Sequence, residues 1–233
     1  MAMTDTRPGV PVPVPAPAPP RTYAPRTAVP IRAGMPRRID IADVTPNNVG
    51  QLRKLNSVLF PVRFSERWYK DVLEAQVADV SKFALFNDIP VGNVCCRFER
   101  LENKDEAKLY IMTLGCLAPY RRIGIASKLL EHVLEHGGPG KTVTFHDNSD
   151  KAKGDEKAAQ GASAKKGQAK KDEDKKKKGE ERRIVAVYLH VQTDNDEAKL
   201  FYEKHGFKEV ERLDEYYHRG IEPRSAWVLE KRQ

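Results

Sequence analysis

Leu114-Gly-Cys-Leu-Ala-Pro-Tyr-Arg-Arg-Ile-Gly-Ile-Ala-Ser127 is the stretch on which the fold of this chain turns. The apolar run Leu109–Leu117 reads as a strand, and Ile123 to His136 reads as a helix with Ile125, Leu129, Val133 and Leu134 on one face. Between them lies a turn containing Pro119, Arg121, Arg122 and Gly124. A strand that passes through such a turn into a helix N-terminus offers backbone N–H groups and the positive end of the helix dipole to an anion. Arginine adds a cation, Gly124 permits close backbone approach to a pyrophosphate, and small Ala126 avoids crowding it. By themselves these residues fit ordinary packing and a solvated arginine pair equally well.

Working outward, Arg38–Ala42 alternates like a short strand. A helix is expected to open at Asp43 or Thr45, with Pro46 in its first turn, and to end before Pro61. A shorter helix is expected from Ser65 to about Ala75, with Trp68, Tyr69 and Val72 inward. Phe83–Phe86 and Pro90–Arg97 flank Asn87-Asp88, which is hairpin chemistry. On the C-terminal side, Ile184–Val191 reads as a strand and Asn195–His205 as a helix stopped by Gly206. A last strand pair is expected near Phe207–Leu213 and Ala226–Leu229. The order β-α-α-β-β-β-α-β-α-β-β predicts an α/β fold with a single mixed sheet of about seven strands flanked by about four helices.

Two segments break the pattern. Residues 1–37 are rich in Pro, Ala and Thr and are expected to be a disordered tail. Residues 139–183, rich in Lys, Glu, Asp, Ala and Gly, are expected to be a low-complexity insertion outside the core of a 38–233 domain. The net charge of +8 resides in these flanks, because outside residues 1–38 and 139–183 the chain carries 21 basic against 23 acidic side chains. A basic surplus in aromatic-poor flanks argues against a dedicated DNA-binding protein. No apolar run approaches the ~20 residues of a membrane span, and the N-terminus shows no hydrophobic signal core. The three cysteines, Cys95, Cys96 and Cys116, form no metal-ligand spacing. Adjacent Cys95 and Cys96 would point to opposite faces of a strand, so reduced thiols and a cytoplasmic, or also nuclear, location are expected.

Arg121-x-x-Gly124-x-Ala126 after this strand resembles the coenzyme A-binding motif of the GNAT acetyltransferases. Phe60-Pro-Val62, Tyr110 to Arg122, Tyr188-Leu-His-Val-Gln192 and Tyr216-Tyr217 are similar to the NatE catalytic subunits within that family. The resemblance covers residues 38–137 and 184–230 and neither low-complexity segment. It implies that acetyl-CoA is the cosubstrate and the α-amino group of nascent or mature protein N-termini the acceptor. Methionine followed by a hydrophobic residue is the implied substrate start, with NatA-type subunits and the ribosome as partners.

The resemblance also implies roles for single residues. Tyr110 and His190 would face each other across a gap between two strands and share a water as the base, acting by direct attack. Leu114, Gly115, Cys116, Leu117, Arg121, Arg122, Ile123, Gly124, Ile125, Ala126, Ser127, Asn195 and Tyr202 would face the cofactor. Phe60, Pro61, Val62, Phe64, Met112, Tyr216, Tyr217 and Ile221 would enclose the peptide's first residues. Phe64 departs from the tyrosine of the animal enzymes. No metal is implied. A non-catalytic scaffold subunit and a lysine or small-amine acetyltransferase are the alternatives.

Overall fold

The structure, a computed structural model, describes residues 37–103, 105–145, 179–217 and 221–233. The expected tail, up to residue 36, and residues 146–178 of the expected insertion lie outside these. One mixed sheet runs in the order β1 (Ile39–Asp43), β2 (Lys82–Phe86), β3 (Ile89–Arg100), β4 (Glu106–Cys116), β6 (Glu180–Gln192), β8 (Ala226–Arg232) and β7 (Lys208–Leu213). An eighth strand, β5 (Thr142–Phe145), pairs with the start of β6. The helices are α1 (Val49–Leu59), α2 (Glu66–Val72), α3 (Ile125–Gly137) and α4 (Asp196–Lys204). Among the described residues no helix is long and apolar enough to cross a membrane.

Local chemistry sets the element ends. Asn87 (φ 48°) and Asp88 (φ 68°) take the left-handed conformations that a two-residue hairpin requires, joining Phe86 to Ile89. Asn48 Oδ1 accepts from Thr45 N at 2.7 Å and its amide donates to Asp43 O at 2.8 Å. That closed turn delays α1 to Val49, later than the sequence pattern suggests. Ser65 Oγ caps α2 by accepting from Trp68 N at 3.2 Å. α2 stops at Val72, short of the expected end near Ala75, and Ala75–Val77 forms a separate single turn.

Helices cover both faces of the sheet. α1 and α2 bury Leu52, Leu55, Tyr69 and Val72 against Phe83 and Cys95. α3 buries Ile125, Leu129, Leu130 and Val133 against Val94, Cys96, Leu109 and Ile111 on the other face. Cys95 and Cys96 therefore point to opposite sides, and all three cysteines are free and buried. Val91–Cys96 is buried without interruption because this central strand is covered on both faces.

One boundary differs from the sequence expectation. Residues 142–145 and 180–183, read as parts of the insertion, are strand. Val143 and Phe145 enter the main core. Buried Arg182 donates through Nη1 to the carbonyls of Leu101, Asn103 and Glu106 at 2.9, 3.2 and 3.1 Å, pinning the β3–β4 turn. Thr142-Val-Thr-Phe145 alternates as a strand should, but its polar surroundings hid four residues of signal.

Leu129, fully buried on α3, tests this packing. Leu129→Ala is expected to lower stability by about 2–5 kcal/mol, read from the urea midpoint at unchanged m-value. A loss under about 1 kcal/mol would show that α3 is not seated as described.

Candidate active site

The site begins where the sheet opens. β4 and β6 run parallel and pair from Glu106↔Arg183 to Tyr110↔Tyr188. Beyond that point β4 continues to Cys116 paired only with β3, and β6 continues to Gln192 paired only with β8. The β6-facing edge of Ile111–Cys116 is thus left without a strand among the described residues. Backbone groups on such an inner edge need a hydrogen-bonding partner, and an extended amide-bearing ligand can supply one.

Tyr110 and His190 meet at the head of this opening, as expected, but in direct contact. Tyr110 Oη lies 3.1 Å from His190 Nδ1, within direct hydrogen-bond distance, and the expected water would stand between this pair and the amine. Tyr110 Oη also bonds Tyr216 Oη at 2.9 Å. The Tyr216 ring stacks flat on the imidazole, with centroids 4.0 Å apart and planes at 10°. Burial pushes the Tyr110 phenol far above its ordinary value, and the bond to Tyr216 acts in the same direction. Burial holds His190 below its ordinary value, opposed by the charge of Glu99. Near neutral pH Tyr110 is therefore a protonated phenol and His190 a neutral imidazole. Either hydroxyl can donate to the other, and the order Tyr216 to Tyr110 to Nδ1 lets the imidazole accept a proton.

The anion loop forms from the strand end. Arg122 (φ 65°) and Gly124 (φ 94°) are left-handed, and Gly124 is the N-cap of α3. No side chain caps this helix and its first turn holds no acidic residue, so the N–H groups of Ile125, Ala126 and Ser127 have no side-chain cap. A Cβ built at Gly124 would meet nothing within 4 Å, which leaves room for an anion beside the backbone. This arrangement fits a pyrophosphate, the anionic part of a coenzyme A nucleotide.

The expected cofactor residues have the following contacts within the chain. The Ile125 side chain is core, so only its backbone can face a ligand. Arg121 Nε donates to Cys116 O at 3.2 Å, and Arg122 Nε pairs with Glu197 of α4 at 3.2 Å, so both guanidinium groups brace the loop. Ile123, Leu114 and Leu117 are half-buried against the core. Asn195 Oδ1 caps α4 by accepting from Ala198 N at 3.1 Å, a structural role. Tyr202 is buried with its ring edge-on to Phe207, and burial keeps its phenol protonated. Cys116 directs its thiol at the carbonyls of Tyr120 and Leu117, at 3.5 and 3.6 Å. Burial lifts that thiol to about 11, so it is no nucleophile near neutral pH.

The residues expected to enclose the peptide come from the loop after α1, from β4 and from the segment between β7 and β8. A methyl at Gly115 would stand 3.0 Å from the Phe60 ring, so the end of α1 rests directly on the unpaired part of β4. Phe60 meets Phe64 edge-on, and Phe64 stacks on Trp68 at 4.3 Å, which anchors the loop holding exposed Pro61 and Val62. Met112 packs half-buried on the α1 and α2 side. Opposite, the backbone N–H groups of Tyr216 and Tyr217 both donate to Arg224 O, at 3.0 and 2.9 Å. Burial raises the Tyr217 phenol to about 12. Tyr216 belongs to the proton chain as much as to the wall. Ile221 is half-buried, just past residues 218–220, which are outside the described set. Sequence reasoning missed Arg97, Glu99 and Tyr188, which line the neighbouring face of the sheet. Tyr188 lies two residues before His190, on the same strand face, and that spacing was the available signal. Among the described residues no cluster of acidic, His or Cys side chains could hold a metal.

Comparison with known proteins agrees with this geometry. The acetyltransferase (GNAT) family profile matches residues 49–146. The chain is 43% identical over 197 residues to N-alpha-acetyltransferase 50 of Danio rerio, covering 84% of this chain and 90% of that protein. It is 39% identical to the probable N-acetyltransferase san of Drosophila melanogaster, covering 83% and 80%. The structure of Arabidopsis thaliana Naa50 in complex with the bisubstrate analogue CoA-Ac-MVNAL superposes with a TM-score of 0.59 at 34% identity, covering 83% of this chain and 97% of that one. With a split mixed sheet, an uncapped glycine-led helix after its fourth strand, and relatives of this similarity over most of its length, the chain belongs to the GNAT acetyltransferase family.

Proposed function

We propose that the protein transfers an acetyl group from acetyl-CoA to the α-amino group of protein N-termini. The carrying observation is the Tyr216–Tyr110–His190 chain at the head of the opening. Acetyl-CoA supplies an activated thioester, and the N–H groups opening α3 would hold its pyrophosphate. The half-buried Leu114 and Leu117 line the unpaired strand that its pantetheine arm would follow.

An α-amino group has a pKa near 8, so a modest base suffices to free its lone pair. Tyr110 Oη takes the proton from the amine while passing its own to His190 Nδ1. The unpaired β4 edge provides N–H groups for the developing negative charge on the carbonyl oxygen. The apolar loop of Phe60, Pro61 and Val62 suits a first side chain such as methionine, and the analogue bound to the Arabidopsis relative begins Met-Val. The stacked Tyr216 narrows the opening, which favours an extended N-terminus over a lysine side chain. We extend the proposal to nascent chains in the cytoplasm, with the ribosome and NatA-type subunits as partners. The basic surplus of the flanking segments suits RNA phosphates.

Peptides starting Met-Leu are expected to be acetylated at the α-amine faster than Ser-initiated ones, and N-blocked peptides with an internal lysine hardly at all. Product mass locates the acetyl group, and lysine modification on the blocked peptide would refute the assignment. Tyr110→Phe should lower kcat by about 10²–10³ with little change in KM for acetyl-CoA. Because His190 must be neutral to accept a proton, kcat should fall as pH drops through its pKa, below the ordinary histidine value of about 6.5, and His190→Ala should remove that limb.

Gly124→Ala places a side chain at φ 94° and is expected to weaken CoA binding measured by calorimetry, by about tenfold or more. Unchanged affinity would remove the loop from the cofactor site. Deleting residues 146–178 spares β5 and β6, and should reduce salt-sensitive co-sedimentation with ribosomes while leaving peptide acetylation intact. Undiminished co-sedimentation would take the insertion out of the ribosome proposal.

A further inference from the structure

A polar network beside the opening takes no part in the proton chain described above. Arg97, Tyr110 and Tyr188 lie side by side across three strands, because Arg97 is in register with Tyr110 and Tyr110 with Tyr188. Glu99, two residues along β3, shares their face. Its Oε1 accepts from Arg97 Nε at 3.1 Å, and its Oε2 accepts from Tyr188 Oη. The Tyr188 ring stacks on Tyr110 with centroids 4.8 Å apart and planes at 30°. A carboxylate therefore stands one hydrogen bond and one ring stack away from the hydroxyl that touches His190. The Glu99 side chain is 30% exposed, so solvent screens its charge only in part.

Other charges near His190 are accounted for strand by strand. On β3, the Arg97 guanidinium lies 5.3 Å from the Tyr110 ring centroid. On β4, Lys108 donates to Glu230 of β8 at 3.0 Å, and Arg232 bonds the same carboxylate. Directly opposite His190, β8 presents Val228, which is apolar. The Tyr216 ring stacks on the imidazole, and Tyr217 packs edge-on to Tyr216. Glu230 is held by two cations of its own, whereas Glu99 shares its carboxylate between one arginine and the Tyr188 hydroxyl on the catalytic side.

We propose that Glu99 is a positioning residue for acetyl transfer: through Tyr188 it fixes the Tyr110 ring, and its carboxylate stabilises the imidazolium that His190 becomes. The inference rests on the reaction proposed above. In that step the amine nitrogen bonds the acetyl carbon and the carbon–sulfur bond breaks, releasing coenzyme A thiolate. The amine's proton goes to Tyr110 and the Tyr110 proton to His190 Nδ1. Glu99 exchanges no proton in this step.

Two substitutions separate its charge from its tether. Glu99→Gln keeps an oxygen that accepts from Tyr188 Oη but removes the charge. Tyr188→Phe keeps the ring stack and the charge but removes the bond. Glu99→Gln is expected to lower kcat about tenfold, the scale of one lost charge-assisted interaction, with KM for acetyl-CoA unchanged. The acid limb of its kcat–pH profile should move to lower pH, because losing a nearby negative charge lowers the proton affinity of His190. Tyr188→Phe should reduce kcat by a smaller factor and leave the limb where it is.

NMR titration of the full chain with ¹³C-labelled histidine, with His190 assigned by its absence in His190→Asn, reads the same shift without turnover. A folded Glu99→Gln protein whose His190 midpoint and kcat match the wild type would overturn the proposal. So would a fall in kcat with midpoint and limb both unmoved, which would mark Glu99 as packing alone. Failure of the wild type to acetylate any peptide would instead sink the proposed reaction, and the NMR midpoint would still decide whether Glu99 controls His190.

Discussion

The parallel pairing of β4 with β6 ends at Tyr110 and Tyr188, and the site is a consequence of that ending. Up to this point each strand satisfies the other's backbone. Past it, β6 turns to β8 alone, and β4 carries an inner edge whose groups need partners. The core holds the two strands in this arrangement from both faces. α3 packs on one side, and α1 rests its end on Gly115 on the other. The helix that follows β4 begins with an uncapped N-terminus just past the end of that unpaired edge in the chain. The unpaired edge and the Tyr110–His190 contact therefore sit at a single topological event.

Burial gives this opening its chemistry. A phenol that stays protonated and an imidazole that stays neutral can exchange one proton without either group starting charged. The flat stack of Tyr216 on His190 excludes solvent from one ring face and places a second hydroxyl on Tyr110. Around this neutral centre the charges are paired, Arg97 with Glu99 and Lys108 with Glu230. The same desolvation silences Cys116, which favours direct transfer over an acyl-cysteine route.

Much of this was legible in the sequence because it rests on local patterns. The Asn87-Asp88 hairpin, the α3 stripe and the glycine turn each follow from neighbouring residues. β5 was not legible, since Thr142–Phe145 is four residues set in a lysine-rich context, and only its pairing with β6 identifies it. Tyr110 and His190 could be named as facing residues from resemblance. Their direct 3.1 Å contact could not, because it depends on how Tyr216, 26 positions beyond His190, folds back over the ring. Asn195 carries a local role that was legible in Asn195-x-x-Ala198, since its Oδ1 caps α4. Glu99 escaped notice because its partners, Arg97 and Tyr188, come together only through strand register.

A crystal structure of this protein with a bisubstrate analogue, coenzyme A joined through an acetyl link to the amine of a Met-Leu peptide, tests the central claim most directly. The account predicts pyrophosphate oxygens on the N–H groups opening α3, and the linker along the unpaired Ile111–Cys116 edge. It predicts the acetylated nitrogen within hydrogen-bond reach of Tyr110 Oη. An analogue bound with its nitrogen away from Tyr110 and His190, or its linker off that edge, would contradict the claim that the strand split creates the active site.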